Sequence, residues 1–224
     1  MCGRFLLAVD PAEIQDAFPD FEFPSAIEPR FNIAPSQPVL VVPNDNSSKA
    51  DYFLWGLIPS WAKDPSIGVR LINARSETLS EKPTFRGPYK YHRCLVVASG
   101  FYEWQQKPNA KSKTPFHFRL KNGKPFAFAG LWDEWHSPDG SQVKSCTIIT
   151  TSPNEIAIAV HDRMPVILSS SNYSRWLDPN PKSPNDLKSL LIPYPSEEMM
   201  MSEVTSYVNN PKNGGPNCIT RVEN

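Results

Sequence analysis

The 24 prolines of this 224-residue chain, about twice the usual frequency, are scattered from one end to the other. Each one fixes φ and removes a backbone donor, so it favours edges, turns and first helical turns over element interiors. Spread this way, they mark a folded domain with many short connections rather than a Pro-rich tail. Between them lie strand-like runs of bulky or β-branched residues at 2–9, 38–43, 51–58, 93–99, 101–105, 115–120, 125–131, 145–151, 165–168 and 202–208. Helical signals are few. Asp10-Pro11-Ala12-Glu13 offers an N-cap, a first-turn proline and a capping-box glutamate. Ser152-Pro153-Asn154-Glu155 repeats that chemistry before 156–160, and 171–177 and 184–191 are the other candidates. Lys121-Asn122-Gly123-Lys124 reads as a hairpin turn in which Asn-Gly supplies positive φ. Residues 44–49 read as a polar hairpin tip, and 107–113, with three lysines, as a solvated one. The expectation is a β-dominated α+β fold, with mostly antiparallel, barrel-like strands, a few short helices and one compact domain over residues 1–224.

With 40% apolar residues, the chain can bury a full core. Lys+Arg and Asp+Glu are both 23, so its overall field does not advertise nucleic-acid binding, and any such binding must use a local patch. No apolar run reaches the ~18 residues of a membrane span and no signal-peptide pattern opens the chain, so a soluble cytoplasmic protein is expected. Cys2, Cys94, Cys146 and Cys218 form no Cys-x-x-Cys pair, and the four histidines are widely spaced, so no structural metal is expected. Cys94 and Cys146 sit in apolar runs and read as buried strand residues.

The chain starts Met1-Cys2-Gly3-Arg4-Phe5. The small side chain of Cys2 makes removal of Met1 the ordinary expectation, which would leave a cysteine with a free α-amine. Such a 1,2-aminothiol condenses with an aldehyde through its amine and closes a thiazolidine through its thiol. The α-amine has a pKa near ~8 against ~10.4 for lysine, so roughly a tenth of it is neutral at pH 7. Ring closure is intramolecular, with effective molarities of about 10⁵ M or more.

Further polar clusters carry more chemistry than strand packing needs. Asn73 and Arg75 follow an apolar pair in Leu71-Ile72-Asn73-Ala74-Arg75. Glu103 stands between aromatics in Phe101-Tyr102-Glu103-Trp104, a setting that raises a carboxyl pKa by desolvation and suits it to acid/base work. His161, in His161-Asp162-Arg163-Met164-Pro165, can shuttle protons near neutrality. No Gly-x-Ser-x-Gly, P-loop or dinucleotide fingerprint is present.

Taken in order, Met1-Cys2-Gly3-Arg4-Phe5, Arg30-Phe31-Asn32-Ile33-Ala34-Pro35, Trp55-Gly56-Leu57-Ile58-Pro59-Ser60-Trp61, Ile72-Asn73-Ala74-Arg75-Ser76-Glu77-Thr78, Gly100-Phe101-Tyr102-Glu103-Trp104 and the His161 segment resemble the SRAP (SOS-response-associated peptidase) family over nearly the whole chain. The resemblance implies a single domain with a cleft for single-stranded DNA and an N-terminal cysteine that crosslinks to ring-opened abasic sites, shielding the lesion during the DNA damage response. It implies catalytic roles for Cys2, Asn73, Glu103 and His161, and DNA contacts from Gly3, Arg4, Asn32, Trp61, Arg75, Arg86 and Arg163. No cofactor or metal is called for, because the aldehyde is already electrophilic. The implied partner is abasic single-stranded DNA, engaged by a monomer with no obligate protein partner and no membrane, nucleoid-associated when bound. Many members carry a second aromatic after the tryptophan, where this chain has Ala62, so a weaker wedge against DNA is expected. Two rivals remain at this stage. One is an N-terminal-nucleophile cysteine peptidase or amidohydrolase, with the release of Met1 by the protein itself or by a host aminopeptidase left open. The other is a non-catalytic single-stranded-DNA-binding module.

Overall fold

The computed structural model describes residues 2–108, 110, 112–180 and 182–222. Its strands are β1 (Phe5–Leu7), β2 (Arg30–Ile33), β3 (Pro38–Pro43), β4 (Asp51–Trp55), β5 (Asn73–Arg75), β6 (Arg93–Ala98), β7 (Gly100–Gln105), β8 (Thr114–Leu120), β9 (Phe126–His136), β10 (Gln142–Thr151), β11 (Met164–Pro165), β12 (Ile167–Leu168) and β13 (Met199–Glu203). The α-helices are α1 (Pro11–Ala17), α2 (Pro83–Tyr91), α3 (Tyr173–Leu177) and α4 (Pro184–Lys188), none of them long and apolar enough to cross a membrane.

One sheet runs β13-β8-β7-β1-β2. In the other, β10, β4, β3, β6 and β9 pair in sequence, and β9 pairs back to β10, closing a small barrel. Closure leaves the ring strands no free edge and explains why β6 is buried along its whole length. The sheets meet through aromatic rings. Phe5 lies edge-on to Trp55 at 5.1 Å and to Phe128 at 5.7 Å. Phe101 stacks on Phe118 at 4.8 Å and touches Phe128 at 6.1 Å. A single core cluster therefore spans both sheets, and the fold is the β-dominated α+β architecture that the runs suggested. Cys94 and Cys146 are fully buried within it.

The capping box of α1 forms as expected, with Ala12 N donating to Asp10 Oδ1 at 2.8 Å and Asp10 N to Glu13 Oε1 at 3.2 Å. Residues 44–49 do connect the antiparallel strands β3 and β4. Of the 107–113 tip, Asn109 and Lys111 lie outside the described residues.

Several expectations need correction, the 51–58 run among them since β4 ends at Trp55 where Gly56 takes a positive φ, and one helix was not foreseen. Residues 156–160 make turns rather than a helix: Asn154 Oδ1 accepts from Ala157 N at 3.0 Å as an N-cap would, but after the two turns closed by Ile158 N on Asn154 O at 3.0 Å and His161 N on Ala157 O at 2.9 Å the segment is too short for a helix to propagate. The run 202–208 is not one strand; β13 ends at Glu203 and a 3₁₀ turn follows at Ser206–Asn209. The Asn122-Gly123 turn, with φ +74° at Gly123, is a corner and not a hairpin, since β8 pairs with β7 and β13 while β9 pairs with β6, β10 and β12. Helix α2 forms in spite of Gly87 and Pro88, because Phe85, Pro88 and Tyr89 bury one face and tertiary packing overrides local propensity.

Arg93, fully buried at the start of β6, ties these helices to the barrel. Its guanidinium donates to the carbonyls of Trp176 at 2.9 Å, Tyr89 at 3.1 Å, Lys90 at 2.6 Å and also Asp178, so one cation satisfies the open C-terminal ends of α2 and α3.

Candidate active site

The antiparallel register of β1 on β7 pairs Phe5 with Phe101 and Leu6 with Gly100, and Tyr102 N donates to Arg4 O at 2.9 Å. Before Phe5 the chain leaves the regular strand, and Cys2 is buried with Phe5 in the main core rather than with Leu6, close enough to the Glu103 segment for the Glu103 charge to act on its thiol. Cys2 is fully buried, and its main-chain carbonyl accepts from Asn73 Nδ2 at 2.8 Å.

Asn73 comes from a detour. After β4 the chain leaves the barrel at Gly56 (φ +136°), loops out, and returns through Leu71 and Ile72 into β5, which lies parallel to β10 with Asn73 opposite Ile148. The loop is pinched at its neck, where a Cβ added to Gly56 would lie 2.6 Å from Gly68 O. Leu57 N donates to Leu71 O at 3.1 Å and Trp55 Nε1 to Ile72 O at 2.9 Å, fixing the returning strand.

Glu103 is 4% exposed, and burial raises its pKa from 4.5 to about 7. Burial, then the Glu103 charge, push the Cys2 thiol pKa far up. His161 follows the 155–160 turn, which Gln105 at the end of β7 holds through Ala159 O at 2.6 Å. Burial lowers the His161 pKa, and its Nδ1 accepts from Arg163 N at 3.0 Å. Asp162 Oδ1 also lies 2.8 Å from Nδ1, a contact that would need a proton there; with the pKa lowered, the neutral ring accepting the backbone N–H is the consistent state. The Lys113 ammonium acts on Glu103 and on His161 alike, which marks their surroundings as shared.

The expected DNA contacts divide. Arg75 is exposed and lines a cleft of about 400 Å³ with Arg70, Ile72, Asn73, Thr78, Lys82 and Phe85. Arg86 is exposed one helical turn after Lys82. Trp61 is 61% exposed on the loop that leads to Asn73. Gly3 is half-buried between Cys2 and Arg4. Arg4, Asn32 and Arg163 are engaged within the fold. Arg4 donates to Asn32 Oδ1 at 2.7 Å and Val208 O at 2.9 Å and lies 5.6 Å over the Trp104 ring, while the Asn32 amide holds the carbonyls of Asn210 at 3.1 Å and Asn213 at 2.8 Å. Arg163 grips Glu77 with two bonds, at 2.6 and 2.9 Å, and Thr150 O at 2.6 Å.

Arg70 and Lys82 were not expected. The signal for Lys82 was its spacing to Arg86, four residues on, visible only once α2 is recognised. A hollow of about 540 Å³ between α1 and α3, lined by Phe18, Phe21, Tyr173 and Tyr194, contains none of the expected site residues. Among the described residues no group of His, Cys, Asp and Glu is arranged to hold a metal ion.

Cys2 buried near the start of the chain, an asparagine holding its carbonyl, a carboxyl poised near neutrality and a cationic cleft make up the candidate site. Residues 1–211 match SRAP, SOS response associated peptidase, and the chain belongs to this family. It is 46% identical over 226 residues to abasic site processing protein YoqW of Bacillus subtilis (strain 168), covering 98% of this chain and 99% of that one. It is 30% identical over 265 residues to abasic site processing protein HMCES of Gallus gallus, covering 100% of this chain and 78% of the relative. A crystal structure of a Bacteroides thetaiotaomicron protein superposes with a TM-score of 0.88 at 24% identity, over 99% of this chain and 100% of that one, a likeness of fold.

Proposed function

We propose that this chain processes abasic sites in single-stranded DNA by linking to them covalently through Cys2. The observation that carries this reading is the double role of Asn73. Its amide holds Cys2, and its strand forms the wall of the cleft lined by Arg70, Arg75 and Lys82. A phosphate chain drawn along those cations would bring a sugar to the N-terminal residue.

The order of steps follows from the two pKa directions. With its pKa pushed up, the Cys2 thiol is a poor first nucleophile, which also speaks against a thiolate peptidase. The α-amine created by release of Met1 adds first to the C1′ aldehyde of the ring-opened sugar, and water leaves to give an imine. The thiol then adds to the imine carbon. A C–S bond forms, Glu103 takes the thiol proton, and the imine nitrogen gains one. The sum is a thiazolidine and one water. Glu103, near pKa 7, can both accept and return that proton, and in this reading His161 would give a proton to the sugar oxygen. The curated relatives are named for abasic site processing, which supports the same substrate.

The test is incubation with a single-stranded oligonucleotide whose uracil has been excised, read by denaturing gel and intact mass. The expected product has the mass of the Met1-less protein plus the oligonucleotide less one water, and Cys2→Ala does not form it. Reversible binding with no adduct, or an adduct that persists in Cys2→Ala, would overturn the reading.

A further inference from the structure

The loop that carries Trp61 is held at alternate residues by the outer face of the β9–β10 hairpin. Ile58 N donates to Ser145 Oγ at 2.7 Å, Ser60 N donates to Asp133 Oδ2 at 2.9 Å, and Ala62 O accepts from Trp135 Nε1 at 2.7 Å. The register explains the spacing. Ser145 lies directly opposite Asp133, and Val143 opposite Trp135, so the three anchors are neighbours on one face. Ile58, Ala62 and Trp135 form a small apolar cluster of their own, apart from the main core and flanked by Leu54, Ile67 and Val143. Between the last two anchored residues, Ser60 and Ala62, stands Trp61, 61% exposed.

Asp133 is the unusual member. It is 6% exposed, and both its oxygens accept main-chain N–H groups, Oδ2 from Ser60 and Oδ1 from Glu134 at 3.0 Å. His92 Nδ1 is 3.6 Å from Oδ1, and its ring stacks on Trp132 at 4.7 Å. A buried carboxylate is costly unless it is fully hydrogen-bonded, and this one spends an oxygen on the residue just before the exposed tryptophan. An aromatic platform on a loose loop would have to be ordered at each binding event; one already fixed avoids that loss.

We infer that Asp133 is a positioning residue for DNA recognition, holding Ser60 so that Trp61 stands as a rigid platform against which an unstacked base of single-stranded DNA is placed. The inference rests on the proposed reading that the chain binds single-stranded DNA, on whose bases an exposed aromatic ring can stack. It extends that reading to a residue of β9 that would itself touch no DNA.

The test is a double-mutant cycle on Asp133→Asn and Trp61→Ala. It is read by anisotropy with an undamaged single-stranded oligonucleotide and by adduct formation with the uracil-excised one. An asparagine has an acceptor oxygen at only one of the two terminal positions, so it cannot accept both of the N–H groups that Asp133 takes on separate oxygens. Asp133→Asn should raise the half-saturating oligonucleotide concentration about three- to tenfold, the net worth of about one hydrogen bond. The limiting rate of adduct formation should not change. In the Trp61→Ala background the same substitution should have no further effect, because the platform it serves is gone. Trp135→Phe keeps a ring in the small cluster and loses only the bond to Ala62 O, so it should shift binding in the same direction and decides the matter if Asp133→Asn does not fold. Equal shifts in both backgrounds would make Asp133 merely structural and overturn the inference. So would an unchanged Asp133→Asn beside a weakened Trp61→Ala. Full binding by Trp61→Ala would remove the platform, and the inference with it, while the Cys2 adduct is judged separately by its own mass.

Discussion

The Asn73 amide donates to the Cys2 carbonyl at 2.8 Å, while its own Oδ1 is buried with no hydrogen-bond partner among the described residues. A buried acceptor left open costs about 1–3 kcal/mol, so it should be filled whenever a donor arrives. The α-amine of Cys2, freed by loss of Met1, is such a donor. Asn73→Ala should therefore slow adduct formation about tenfold, equivalent to about 1.4 kcal/mol, in single-turnover measurements on protein of verified N-terminal mass. Asn73→Asp should be slower still, since it sets a carboxylate oxygen against the Cys2 carbonyl. Wild-type rates in both variants would remove Asn73 from the reaction.

The raised pKa of Glu103 makes stability and rate move in opposite directions with pH. Its native value of about 7 lies above the ordinary 4.5, so the folded state holds the proton more tightly than the unfolded one. The stability this contributes is complete below pH about 4.5 and is lost as pH rises through about 7. Glu103→Gln, which mimics the neutral acid, should match the wild type in acid and be the more stable protein above neutrality, measured by urea midpoint across pH. In the proposed mechanism the rate should climb through pH about 7 as Glu103 ionises and again near ~8 as the Cys2 α-amine loses its proton; Glu103→Gln should lose the first limb and keep the second. A limb at pH about 7 that survives in the variant would place the base elsewhere.

Two arginines of similar expectation should part in their response to salt. Arg75 is exposed along the cleft, whereas Arg4 spends its guanidinium on Asn32 and on Val208 O. Arg75→Ala should reduce the slope of log K against log salt by about 0.7, and Arg70→Ala and Lys82→Ala should do the same. Arg4→Ala should leave the slope alone and cost about 1–3 kcal/mol of stability, because the buried Asn32 Oδ1 loses its donor, while Val208 O keeps that from the Asn32 amide. Anisotropy titrations at several salt concentrations, with denaturation in parallel, separate the two. A slope change in Arg4→Ala equal to that in Arg75→Ala would return Arg4 to the DNA path.

What the sequence revealed follows from the range of the interactions involved. The setting of Glu103 was legible because its neighbours Tyr102 and Trp104 are adjacent in the chain, and the α1 cap because it spans four residues. A shared site for Cys2 and Asn73 was expected only through the family resemblance and not from any local pattern, since their contact depends on a three-residue strand returning parallel to β10. Arg4 and Asn32 have the right side chains for phosphate, yet their partners are carbonyls near the far end of the chain, which no local pattern announces. A net charge of zero hid the cleft, because Arg70, Arg75 and Lys82 become a patch only when β5 and α2 are brought together. Helix α2 itself was concealed by Gly87-Pro88, where burial of Phe85 and Tyr89 outweighs propensity.

The pinch at Gly56 ties that long-range geometry to a single backbone position. Its φ of +136° is one that side chains rarely adopt, and an added Cβ would lie 2.6 Å from Gly68 O. Gly56→Ala must therefore either strain the backbone, at about 1–3 kcal/mol, or open the neck of the loop. Opening it would shift Leu71 and Ile72, and with them Asn73 on one side and the Trp61 segment on the other. Adduct yield should thus fall further than the loss of stability alone explains, as seen by comparing rate and urea midpoint in the same preparation. Gly87→Ala is the control. It lies in α2, and apart from its chain neighbours Arg86 and Pro88 nothing lies within 4 Å of the new methyl. There the helix-propensity gain of about 0.5–1 kcal/mol is opposed by the Pro88 ring against the new Cβ, so stability should change little and the reaction should be untouched. If Gly56→Ala lost stability but reacted at the wild-type rate, the neck would be a feature of the fold alone, and the position of Asn73 would have to be held by β10.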